Sequence, residues 1–126
     1  MFNAAKTFSS FSVSDLDKAR DFYRDKLGIE VTEHEDELNL NLEGGTQILL
    51  YIKPNHTPAT FTILNFLVED IEQAVDALIA RGVRFEQYDG FMKTDIKGIF
   101  RTEGLKQAWF QDPAGNILSL LEQENP

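Results

Sequence analysis

Two histidines, and the acidic residues around one of them, are the groups in this sequence best suited to ligate a metal or move a proton. His34 sits in Glu33-His34-Glu35-Asp36-Glu37, and imidazole with carboxylates is a donor set suited to zinc and related divalent ions. Neighbours along a strand point to opposite faces, and so acidic a run suits a solvated turn, so few of these donors can converge. His56, in Lys53-Pro54-Asn55-His56-Thr57-Pro58, falls in a proline-bounded linker and is read as an exposed loop residue. Glu122 and Glu124 are candidate bases and Tyr51 and Tyr88 candidate acids, although surface charge and packing account for them more simply. Cysteine is absent, which excludes thiolate nucleophiles, disulfides and Cys-based zinc or iron–sulfur sites. The sequence also lacks a Gly-x-Ser-x-Gly elbow, a phosphate-cradling glycine loop and a His-Glu-x-x-His pair.

The elements that must position these groups come in two copies. Phe11-Ser12-Val13-Ser14-Asp15-Leu16-Asp17-Lys18-Ala19 recurs 55 residues later as Phe66-Leu67-Val68-Glu69-Asp70-Ile71-Glu72-Gln73-Ala74. Each copy reads as a short strand running into a helix capped by Asp15 or Asp70. The apolar stripes are Leu16, Ala19, Tyr23 and Leu27 in one helix and Ile71, Ala74, Val75 and Leu78 in the other. Gly28 and Gly82 end them. In the first copy, strands are expected over Ile29 to Glu35, Leu38 to Leu42 and Thr46 to Lys53, with a Gly44-Gly45 hairpin turn. The second copy offers Val83 to Tyr88, Gln107 to Gln111 and Ile117 to Leu121, with a turn at Asp112-Pro113-Ala114-Gly115-Asn116. The order is βαβββ twice, an α+β domain with a mostly antiparallel sheet: module one over 1–53, a linker over 54–59 and module two over 60–126.

Composition narrows the function. A length of 126 residues suits one domain. Twelve basic against 21 acidic residues give a formal charge of −9, a poor match for nucleic acid or anionic lipid and a better one for a neutral or cationic partner. The longest apolar run, Ile48 to Ile52, is far short of a membrane span, and Met1 to Lys6 lacks the pattern of a signal peptide, so a soluble cytoplasmic protein is expected.

Three stretches carry a family resemblance: Val13-Ser14-Asp15-Leu16-Asp17-Lys18-Ala19, Phe22-Tyr23-Arg24-Asp25-Lys26-Leu27-Gly28, and Ala108-Trp109-Phe110-Gln111-Asp112-Pro113-Ala114-Gly115-Asn116. With two βαβββ modules, they resemble the vicinal oxygen chelate superfamily of glyoxalase I, bleomycin-resistance proteins and extradiol dioxygenases. The resemblance implies sheets curled into a cup with helices outside, a metal held by His, Gln and Glu on the cupped strands, and two-fold dimers. It also implies ligand positions at Phe8 and Ile63, each seven residues before a helix-capping Asp, at Ser119, and at Leu50 or Tyr51. None is a carboxylate or imidazole, so the usual metal is not expected, nor any other cofactor.

Three functions remain open: a metal-free binding protein like the bleomycin-resistance branch, a metal-dependent lyase or dioxygenase with an unusual ligand set, and metal-independent catalysis. The first is favoured. A small planar or partly apolar molecule, aromatic or cationic, is expected among Phe8, Ser10, Asn65, Phe100, Trp109 and Ser119, in a homodimer. The segment from Asp89 to Leu105 is expected to be a mobile flap over the site, or in part a strand that packs its apolar residues.

Overall fold

The computed structural model describes residues 6–124 as two compact units, one running to Thr57 and the other from Pro58. Their division falls inside the segment 54–59.

The first unit runs β1 (Ser9–Val13), α1 (Leu16–Asp21), a wide helical turn (Phe22–Lys26), β2 (Glu30–His34), β3 (Glu37–Asn41) and β4 (Gln47–Ile52). The strands lie in the order β1-β4-β3-β2, with β1 parallel to β4 and the other pairs antiparallel. Asp15 caps α1 by accepting from the Lys18 N–H at 3.0 Å. After one turn the helix widens, and the Leu27 N–H donates to the Phe22 carbonyl at 3.1 Å. The extra residue in that turn brings Phe22 and Tyr23 inward side by side, both buried, beside Ala19. A regular 3.6 period would leave Phe22 off the apolar stripe. At the β3–β4 connection Gly44 and Gly45 both take positive φ, 78° and 81°, where a Cβ would be strained.

The second unit repeats the plan as β5 (Thr62–Leu67), α2 (Ile71–Ala80), β6 (Ile99–Thr102), β7 (Leu105–Gln111) and β8 (Ile117–Gln123). Its order is β5-β8-β7-β6, again with one parallel pair, β5 and β8. Asp70 caps α2 through the Gln73 N–H at 3.1 Å, and Glu122 on β8 accepts the Ile71 N–H at 2.9 Å. The helix ends where Gly82 and Val83 donate back to Ile79 and Leu78, with Gly82 at φ 90°. Buried Ile71, Val75 and Leu78 form its inner stripe, each contributing about 1.5–3 kcal/mol by burial. Because Glu122 reaches α2, the β8 residues of its parity, Leu118 and Leu120, share the helix-facing side.

Two elements differ from the sequence reading. Val83 to Tyr88 forms no strand; it touches the sheet through one antiparallel bridge between Phe85 and Phe110. The pairing it was expected to supply comes from β6, inside the segment expected to be a flap. Ile99 is buried in the core there, so the strand alternative describes residues 99–102. The remainder, 89–98, is tied down at both ends. Thr94 is buried, and its N–H donates to the Tyr88 carbonyl at 3.0 Å while its hydroxyl accepts the Tyr88 N–H at 2.7 Å. Asp95 accepts the N–H groups of Lys97 and Ile99, each at 2.9 Å. Gly98 is a contact point rather than a hinge, since a Cβ there would lie 2.9 Å from the Glu86 carbonyl oxygen.

Candidate functional site

One face of the second sheet gathers the groups of interest. The register aligns Asn65 on β5, Ser119 on β8 and Trp109 on β7 in one row across the sheet, on the side away from α2. Gln107 lies one step along the same face of β7, paired with Leu121 and with Phe100 on β6. Ser119 is fully buried. Its hydroxyl donates to Asn65 Oδ1, and Gln107 Nε2 donates to Ser119 Oγ at 3.1 Å and to Asn65 Oδ1 at 3.4 Å. A buried serine is thus tied to a half-buried glutamine and an exposed asparagine.

Beside them stands an aromatic wall. The Trp109 ring lies 6.2 Å from Phe100 and 5.6 Å from Tyr88, which meets it edge-on at 72°. Its indole N–H donates to Thr62 Oγ1 at 3.1 Å. Thr62 reaches it through a β-bulge: Thr62 pairs with Ile117 and Leu64 with Leu118, so Ile63 is an extra residue. Plain alternation would put Thr62 on the helix-facing side; the bulge turns it onto the Trp109 face. Above lies an open groove of about 380 Å³, lined chiefly by Phe61, Thr62, Tyr88, Met92, Gln107 and Trp109. Burial, aided by the Glu86 carboxylate, raises the Tyr88 phenol above its ordinary value, which makes it a weaker acid at neutral pH. A larger hollow of about 790 Å³ near the end of α2 contains Arg84, Glu86 and Lys97 and none of the expected site residues.

Of the expected residues, Asn65, Phe100, Trp109 and Ser119 share this face. Ser119 lies beneath Asn65 and Gln107, where it orients them. Phe8 and Ser10 belong to the first unit, both exposed, with Ser10 paired to Leu49. Gln107, Thr62, Phe61 and Met92 were missed. Gln107 stands two residues before Trp109, so strand alternation was a signal for it; the bulge hid Thr62.

Three other candidate donors, His56, Glu33 and Glu122, are engaged in structure. His56 is half-buried rather than exposed, and it shares a 2.6 Å hydrogen bond with Ser12 in the first unit. Glu33 pairs with Arg20 at 3.1 Å, and Glu122, besides capping α2, lies 3.5 Å from Lys106. The parallel pairing sets Ser10 against Leu49 as it sets Asn65 against Ser119, so the module-one equivalent of Ser119 is Leu49, not Leu50 or Tyr51. Phe8, Ile63 and Leu49 offer no side-chain donor, and the Ser119 hydroxyl is held by Asn65 and Gln107. Among the described residues no group of three or more His, Asp or Glu could hold a metal ion. This donor set does not fit the divalent metal carried by enzymes of this fold.

A βαβββ unit with a mixed sheet and one helix across a face, present twice in one chain, defines the class of paired-βαβββ proteins. The family profile described as the glyoxalase/bleomycin resistance protein/dioxygenase superfamily matches residues 7–120, and the chain belongs to that superfamily. No curated protein matches its sequence significantly. Among solved structures it is similar to TnmS3, an antibiotic binding protein from Streptomyces sp. CB03234, with 24% identity, a TM-score of 0.70, and coverage of 98% of this chain and 100% of that one. A glyoxalase family protein from Enterococcus faecalis is 26% identical at a TM-score of 0.69, over 97% of this chain and 100% of that one. The fosfomycin resistance protein FosX from Listeria monocytogenes is 16% identical at a TM-score of 0.69, over 96% and 94%.

Proposed function

We propose that the protein binds a small, planar aromatic molecule carrying a cationic group in the groove of its second unit, without the divalent metal of the family's enzymes. The observation that carries this is Trp109, which stands in the groove wall between Phe100 and Tyr88 with its N–H already bonded to Thr62. The indole is buried except where it borders the groove, so a flat partner would meet that border, and it has no donor left to give. A cationic group is favoured by the ring faces, by Glu86 near Tyr88 and by the net charge of −9. Support for binding rather than catalysis comes from the ill-suited donor set and from likeness in fold to an antibiotic binding protein. The same proposal has the protein acting in the cytoplasm as a homodimer.

The test is calorimetric titration with 9-aminoacridine, a planar cation, in buffer containing EDTA. One site per chain, weakened at least roughly tenfold by Trp109→Ala, is the expected result. Binding that requires added zinc, nickel or manganese would overturn the metal-free function, and a sedimentation mass of one chain would overturn the dimer.

A further inference from the structure

We infer that the ligand presents an N–H hydrogen-bond donor to Gln107, whose side-chain amide is locked with its carbonyl turned towards the groove; this rests on the binding site proposed above. A serine hydroxyl has one proton, and that of Ser119 goes to Asn65 Oδ1, a carbonyl oxygen that can only accept. Ser119 Oγ is then left with acceptor capacity, and Gln107 Nε2 fills it at 3.1 Å while also reaching Asn65 Oδ1 at 3.4 Å. Turning the Gln107 amide over would set its oxygen against two acceptors. The Gln107 Nε2 edge is therefore held against Ser119 and Asn65, one N–H being shared between the two oxygens, and Oε1 has no hydrogen-bond partner among the described residues.

Gln107 lines the groove, none of whose lining residues is charged. The Trp109 N–H is engaged with Thr62. Gln107 thus offers the groove an acceptor, Oε1, beside an aromatic face. An aromatic lactam, amide or amine complements it. A flat molecule bearing only carbonyl or anionic oxygens leaves Gln107 Oε1 unpaired, and sites built around a hydrogen bond discriminate against partners lacking it.

Acridone and N-methylacridone test this, because they share a ring system and are neutral, so charge plays no part. Each is titrated against the native protein in EDTA while Trp109 emission is followed, with 9-aminoacridine as reference. Acridone is expected to bind roughly tenfold more tightly than its N-methyl derivative. In Gln107→Met, which keeps side-chain length but removes the acceptor, the preference should fall to within about twofold. Gln107→Leu, a second variant without the acceptor, should lose the preference in the same way, which covers the case of a poorly folded methionine variant. If 9-aminoacridine binds but the acridones bind equally or not at all, the inference falls while the binding site stands. A preference that persists unchanged in Gln107→Met would mean that methyl bulk causes it, and would also overturn the inference. If none of the three quenches Trp109, the binding site falls too.

Discussion

Thr62 Oγ1 accepts the indole N–H of Trp109 at 3.1 Å from two strands away, because the bulge at Ile63 turns Thr62 onto the groove face. The bond fixes the plane of the ring that borders the groove, and it satisfies the donor of a side chain that is 6% exposed. Bulges beside functional surfaces commonly re-aim a side chain in this way.

Thr62→Val keeps the shape and removes the acceptor. The indole N–H is then buried without a partner, and stability should fall by about 1–2 kcal/mol in urea unfolding. The Trp109 emission maximum should shift in the same variant, since the hydrogen bond at its nitrogen is gone.

Gly98→Ala tests how firmly the 95–98 turn is seated. The backbone there has φ 87°, and the new Cβ would lie 2.9 Å from both the Glu86 carbonyl oxygen and Phe85 Cβ. A loss of about 2 kcal/mol or more is expected, read as a lower midpoint of thermal unfolding. The same change at Gly90, where nothing lies within 4 Å of the added atom, should cost less.

Asp112→Ala dismantles the turn before β8. Buried Asp112 accepts the N–H groups of Ala114 and Asn116 at 2.9 Å each, and the Asn116 amide at 3.0 Å. Removing the carboxylate strands these donors, so denaturant unfolding should show a loss of about 2–3 kcal/mol.

Acid should weaken the second unit at Asp95. Burial acts to raise this carboxyl, but the N–H groups of Ile99 and Lys97, together with the Arg101 guanidinium, outweigh it and hold the group below its ordinary value. A carboxylate depressed in the folded state contributes stability above its unfolded value of about 3.9, and that contribution disappears as pH falls through the lower folded value. Asp95→Asn should therefore be less stable than the native protein at about pH 6, with the gap closing below about pH 3. A gap that stayed constant with pH would contradict this sign.

The repeat, both aspartate caps, both terminal glycines and the pairing of β3 with β4 were legible in the sequence, because each rests on local chemistry that repeats at fixed spacing. Strand alternation also put Trp109 opposite Ala108 and Phe110, the side on which the structure has it. The third strand of the second unit was not legible. Val83 to Tyr88 has the residues of a strand, yet the ladder beside β7 is formed by Ile99–Thr102, a non-local choice that composition does not reveal. The wide turn at Phe22–Lys26 and the bulge at Ile63 were hidden for a related reason. Each inserts one residue into a period, so that Phe22 is buried beside Tyr23 and Thr62 turns onto the groove face. Gln107 was passed over because its role depends on Ser119 and Asn65, which lie 12 and 42 residues away in sequence.

The most direct test of the central claim is the nuclear magnetic resonance spectrum of ¹⁵N-labelled protein titrated with 9-aminoacridine in EDTA. The chain has one tryptophan, so a single indole N–H signal reports on the groove. Saturable movement of that signal, together with the side-chain amide signals of Gln107 and Asn65, is the predicted result. An indole signal that stays fixed while others shift, or that moves only once a divalent metal is added, would contradict it.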